Sequence, residues 1–157
     1  MAERILVPLD GSSFGEAALN YVSSFLADMN PKRKVTVVLL HVINNLTHVI
    51  DVQGEGELPV VLRYTPEEIE EMKQKILKYL TRASKTLQES GTEVESQIFV
   101  GENSAEEIIK AEKELKCDLV AMSTHGRSGL GRFAFGSVAD KVLRGGTLPV
   151  LLVRAKK

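Results

Sequence analysis

The apolar residues of this chain fall into short blocks and long helical stripes that take turns from one end to the other. Arg4 to Pro8 is apolar and partly β-branched, which predicts a short buried strand. Leu9-Asp10-Gly11-Ser12-Ser13 reads as a turn and a helix start, with Ser12 or Ser13 as N-cap. Phe14, Ala17, Ala18, Tyr21, Val22, Phe25 and Leu26 then recur at three and four residues, predicting one buried helix face that ends near Asn30-Pro31. Val35 to Val42 is apolar at successive positions, as in a parallel strand covered on both sides. Asn44 to Tyr64 follows neither period and reads as a long connection with an exposed tip at Gly54-Glu55-Gly56-Glu57.

The second half repeats the alternation. Thr65-Pro66-Glu67-Glu68 is a capping box with proline at the first helical position. The stripe Ile69, Met72, Ile76, Leu80, Ala83 and Leu87 continues that helix to a stop at Gly91. Val94 to Val100 alternates as an outer strand does. Ser104-Ala105-Glu106-Glu107 predicts a second capping box and a helix to about Leu115. Leu119 to Ser123 is a fourth strand, Ser137 to Leu143 a last helix stopped by Gly145-Gly146, and Pro149 to Val153 a fifth strand. Alternation of this kind predicts an α/β domain of three layers around a parallel sheet, with right-handed crossovers.

Between the fourth strand and the last helix lies Ser123-Thr124-His125-Gly126, nine residues, then Gly136-Ser137. A strand, a glycine-bearing loop and a helix start in succession can hold an anion. Loop amides and the first helical N–H groups lack intrahelical acceptors, and the helix dipole adds attraction. Gly126 and Gly136 have no Cβ to block a ligand, and the Ser137 hydroxyl stands where an N-cap or a phosphate contact is expected. Between Thr124 and Thr147, Arg127, Arg132, Lys141 and Arg144 face Asp140 alone, a local +3 in a chain of net charge −1. That charge suits a small polyanion, but taken alone it reads first as a solvated helix face.

Composition narrows the classes. A length of 157 residues with 43% hydrophobic content fits one globular domain spanning 1–157. The near-neutral charge argues against general nucleic-acid binding. No apolar run approaches the roughly 20 residues that span a bilayer. A strand-like run starts directly after Met1-Ala2-Glu3, which leaves no room for a leader, and Cys117 is the single cysteine, so a reducing cytoplasm is expected.

At these residues the sequence resembles the universal stress protein family in its ATP-binding branch, whose fourth strand is followed by Gly-x2-Gly-x9-Gly-Ser/Thr. Gly126, Gly136 and Ser137 match, and Ser123 stands in place of the first glycine. The likeness runs from Ile5-Leu6-Val7-Pro8-Leu9-Asp10 to Pro149-Val150-Leu151-Leu152-Val153. It implies a three-layer open parallel five-stranded sheet in the order 3-2-1-4-5, Rossmann-like and adenine nucleotide alpha hydrolase-like. Ligand would sit where strands one and four part. It further implies that Gly126, Arg127, Gly136, Ser137 and Val138 surround the phosphates. Asp10 would lie near the ribose and phosphates or help hold Mg²⁺, Pro8 and Leu9 would line the sugar and base, Val42 would meet adenine through its backbone, and Met122 would form the floor. Ser123 either crowds the α-phosphate or adds one contact worth roughly 1 kcal/mol. The implied ligand is ATP, or AMP or ADP, with Mg²⁺ alongside ATP.

The implied function is a nucleotide-dependent regulator in stress response, acting as a homodimer paired through Val150 to Val153 and on a protein partner of unknown kind. A slow ATP hydrolase and an interaction module that binds no nucleotide are the alternatives. Several other signals point nowhere. Gly129-Leu130-Gly131-Arg132-Phe133-Ala134 fits a dinucleotide fingerprint but lacks the downstream strand and acid, and no P-loop is present. His41, His48 and His125 lack metal-ligand spacing. No nucleophile–base set can be assigned, so no catalytic residue is expected.

Overall fold

The computed structural model describes residues 3–29, 34–50, 60–125 and 136–155. Its elements run β1 (Arg4–Pro8), α1 (Glu16–Met29), β2 (Thr36–Ile43), β3 (Thr47–Ile50), β4 (Val60–Arg63), α2 (Pro66–Glu89), β5 (Glu93–Val100), α3 (Ser104–Glu114), β6 (Leu119–His125), α4 (Ser137–Gly145) and β7 (Val150–Ala155). Five strands form one parallel sheet in the order β5-β2-β1-β6-β7. Counting only these five along the chain, the order is the expected 3-2-1-4-5.

Alternation along the strands sorts the core into two layers. Ile5, Val7, Val37, Leu39 and Ala121 pack with Ala18, Leu19 and Val22 of α1 and Leu80 and Leu87 of α2. Leu6, Val38, Leu40, Val120 and Met122 pack with Ala105 and Ile108 of α3 and Ala139 and Val142 of α4. A fully buried leucine or valine contributes roughly 1.5–3 kcal/mol relative to exposure. Each layer holds several, so neither helix pair is an optional cover.

Local signals mostly act where the sequence put them. Thr65 Oγ1 accepts from Glu68 N at 3.3 Å while Glu68 Oε2 accepts from Thr65 N at 2.7 Å. Gly91, at φ +81, ends α2, and Thr92 N returns to the Leu87 carbonyl at 3.1 Å. Ser12 behaves as a cap, its Oγ accepting from Gly15 N at 3.0 Å.

Four expectations are corrected. The segment 44–64 is not a plain connection, because Thr47–Ile50 and Val60–Arg63 pair antiparallel as a separate two-stranded sheet. The cap of α3 is Asn103, whose side chain accepts from Ala105 N at 3.2 Å, so the cap stands one residue before Ser104 and is a single side-chain bond to the second helical amide. The cap position of α4 is Gly136, at φ +87, and Ser137 is the first helical residue with no capping bond. The buried face of α1 is Ala18, Leu19, Val22, Ser23 and Leu26, while Tyr21 and Phe25 are exposed and stack on each other at 6.1 Å.

Candidate functional site

The site begins with Pro8. Even-numbered residues of β1 direct their polar backbone groups toward β6, as the bond from Asp118 N to the Arg4 carbonyl shows at 2.9 Å. Proline at position 8 has no N–H to offer on that side. Pairing between β1 and β6 covers only Ile5 with Leu119 and Leu6 with Val120. The two strands then part, at the point where the strand order reverses.

On the other side of β1 the ladder ends with Leu9 N donating to the Leu40 carbonyl at 2.8 Å. Ile43 turns its carbonyl to Gly101 N beyond β5. By alternation, Val42 turns its N–H and C=O the opposite way, toward the gap that opens past Leu9. A donor and an acceptor from one residue therefore face the same opening.

From across the gap comes the start of α4. The first bond of that helix runs from Asp140 N to the Gly136 carbonyl at 2.9 Å. The N–H groups of Ser137, Val138 and Ala139 thus have no intrahelical acceptor. Among the described residues an added Cβ on Gly136 would meet nothing within 4 Å.

These pieces enclose a cavity of about 380 Å³. Of the site residues expected from sequence, Pro8, Leu9, Asp10, Val42, Met122, Ser123, Gly136, Ser137 and Val138 all line it. Gly126 and Arg127 lie outside the described residues. The cavity volume is in the range of small-molecule sites, roughly 300–1,000 Å³. Among the described residues no three His, Cys, Asp or Glu converge as metal ligands.

Asp10 and Ser123 have definite partners. Asp10 Oδ1 accepts from Ser12 N at 2.9 Å and from Ser12 Oγ at 2.6 Å. Gly15 makes room for that carboxylate, since a Cβ there would lie 2.5 Å from Asp10 Oδ1. Ser123 Oγ accepts from Ala18 N at 2.8 Å and donates to the Gly15 carbonyl at 2.9 Å. Its hydroxyl is spent on the first turn of α1, and its Cβ points to that helix. Behind the site, burial holds the His41 imidazole below its usual pKa, opposed by the Leu9 carbonyl and the Asp10 carboxylate.

Sequence reasoning did not single out Asn44, Ser104, Ile108 or Thr124 as site residues, yet each lines the cavity. Asn44 carries a usable signal, because it continues the parity of Leu40 and Val42 one residue past the end of β2. Ser104 was read only as a cap.

A model of the universal stress protein family matches residues 1–154. Universal stress protein YxiE of Bacillus subtilis is 30% identical over 98% of this chain and 100% of its own. Universal stress protein MJ0577 of Methanocaldococcus jannaschii is 29% identical over 99% and 97%. The solved MJ0577 structure superposes with a TM-score of 0.65 at 27% identity, covering 99% of this chain and 97% of that one. A universal stress protein of Archaeoglobus fulgidus, solved in complex with dAMP, shares the fold at a TM-score of 0.59 and 20% identity, covering 95% of each chain.

Proposed function

This chain belongs to the universal stress protein family, and from that premise we propose that it binds an adenine nucleotide between β1 and β6 and acts as a nucleotide-dependent regulator. One observation carries the reading: the open N–H groups of α4 and the outward N–H and C=O of Val42 border one cavity. The first set suits phosphate oxygens. The second suits the N1 and N6 edge of adenine, which presents an acceptor beside a donor. The dAMP complex of the Archaeoglobus fulgidus relative supports the same ligand class.

In this reading Gly136, Ser137 and Val138 hold phosphate through main-chain amides. Gly126 and Arg127, the next two residues of the chain after His125, are proposed to join them. Pro8 and Leu9 flank the sugar, Met122 forms the floor, and Asp10 faces the ribose or a Mg²⁺ that arrives with the phosphates. Mg²⁺ suits such a site because it keeps several waters and takes few protein ligands. The metal would neutralise phosphate charge, Asp10 would accept from the ribose hydroxyls or the metal's waters, and the α4 amides would orient the chain of phosphates. The unit that responds is proposed to be one domain, 1–157, paired with a second copy through β7 and working in the cytoplasm on a protein partner.

Ser137→Pro isolates the phosphate contact. Proline is favoured at the first helical position and removes one N–H without breaking the helix. Losing a hydrogen bond to a charged phosphate costs about 1.5–3 kcal/mol. Titration calorimetry should show ATP bound at least about tenfold more weakly, with adenosine affinity nearly unchanged. Millimolar ATP and AMP should both raise the Tm of the unaltered protein. No rise with either nucleotide would overturn the reading.

A further inference from the structure

We propose that Asn44, steadied by Ser104, reads the N7 and outer N6 edge of the bound purine and so sets base preference. The inference rests on the nucleotide reading above and deepens it. Leu40, Val42 and Asn44 share one parity, and all three line the cavity. Asn44 thus extends the row of cavity-facing positions one step past the residue whose backbone faces the base.

The side chain there is oriented but not used up. Asn44 Nδ2 donates to Ser104 Oγ at 2.8 Å. Ser104 is free for this because Asn103 caps α3 in its place. An asparagine amide has two N–H donors and one carbonyl oxygen. After the bond to Ser104, one N–H and the Oδ1 acceptor of Asn44 have no partner among the described residues. Fixing one N–H on Ser104 fixes which way the amide faces.

That remaining pair has a defined complement. An adenine held at N1 and N6 by Val42 keeps N7 as an acceptor and its second N6 hydrogen as a donor, side by side. Asparagine offers the matching donor and acceptor, the pairing by which it selects adenine elsewhere. Guanine shows two acceptors along the same edge, N7 and O6, and would set O6 against Asn44 Oδ1. Asn44 and Ser104 therefore add a second reading of the base to the one supplied by β2.

The probe is ATP against 7-deaza-ATP, which differs only in lacking the N7 acceptor. The unaltered protein should bind ATP about fivefold more tightly than the deaza analogue, the ratio for one neutral hydrogen bond. Asn44→Ala should bring the two affinities together, and Ser104→Ala should narrow the ratio by releasing the amide. Asn44 is exposed, so its replacement leaves the packing of the core alone, and a circular dichroism melt checks this. Equal binding of ATP and 7-deaza-ATP by the unaltered protein overturns this inference and leaves the nucleotide reading standing. A ratio that survives in Asn44→Ala overturns it too. Binding of neither compound overturns the nucleotide reading itself.

Discussion

Ser123 shows how one side chain can change meaning between sequence and structure. In the chain it is a motif glycine replaced, and the natural question is whether its Cβ blocks a phosphate. In the fold its Cβ points to the other face of the sheet, where Oγ bridges Gly15 and Ala18. The first N–H groups of α1 need acceptors, and Ser123 supplies one from a strand more than a hundred residues away. Ser123→Ala should cost about 1–2 kcal/mol for the two bonds, seen as a fall in Tm of about 2–8 °C. ATP affinity should change much less than stability. An affinity loss that outruns the stability loss would put the hydroxyl in the site instead. The role was illegible in sequence because it depends on which face of β6 residue 123 occupies relative to α1. Pro8 was legible only in part, for the same kind of reason. Its place at a strand end could be read, but that its missing N–H lies on the β6 side follows from register.

At the scale of elements, periodicity located every strand and helix of the main sheet, because each one buries a face and burial leaves a period in the sequence. Errors gathered where two neighbouring residues could do the same local job. Asn103 and Ser104 are both good caps, and the backbone at Asn103, φ −123 and ψ 103, decides between them. Asn103→Ala should therefore destabilise α3 by about 1 kcal/mol, whereas Ser104→Ala should leave the Tm nearly unchanged. The reverse order in thermal melts would restore Ser104 as the cap. The β3–β4 hairpin escaped detection for a different reason. Its strands are four residues each, and Val49 and Val61 face each other at 63% and 62% exposure. Paired residues that stay in solvent do not produce the polar–apolar alternation by which a half-buried strand is recognised. In α1 the period holds and one flank of the stripe is misplaced: Ala18, Val22 and Leu26 are buried as expected, but Leu19 and Ser23, not the more hydrophobic Tyr21 and Phe25, complete the buried face.

Over the whole molecule, the sheet ends in two strand edges that are treated differently. The β5 edge carries Glu93, Glu95 and Gln97, with Lys34 paired to Glu93 at 2.9 Å and Arg4 to Glu95 at 2.8 Å. Charges of that kind blunt an edge against pairing. The β7 edge runs Val150-Leu151-Leu152-Val153 before its first charge at Arg154. Beside β7 lies α1, and its two flanks are distinguishable. Glu16 lies on the α2 side, since its carboxylate, after burial, raises the Tyr79 phenol pKa. Tyr21 and Phe25 project from the opposite flank, given 100° per residue, so their stacked rings lie on the side of α1 away from α2. An uncharged edge flanked by exposed aromatics is what the proposed homodimer needs: main-chain pairing along β7, with the rings of each α1 covering the seam. Phe25→Glu tests this without touching the core, because Phe25 is 44% exposed in the single chain. Sedimentation should find the unaltered protein at twice the mass of one chain and Phe25→Glu shifted toward one, with the circular dichroism of the fold retained. A monomer before any substitution would overturn the pairing and leave β7 an open edge bearing Arg154. A dimer indifferent to Phe25→Glu would move the seam off α1.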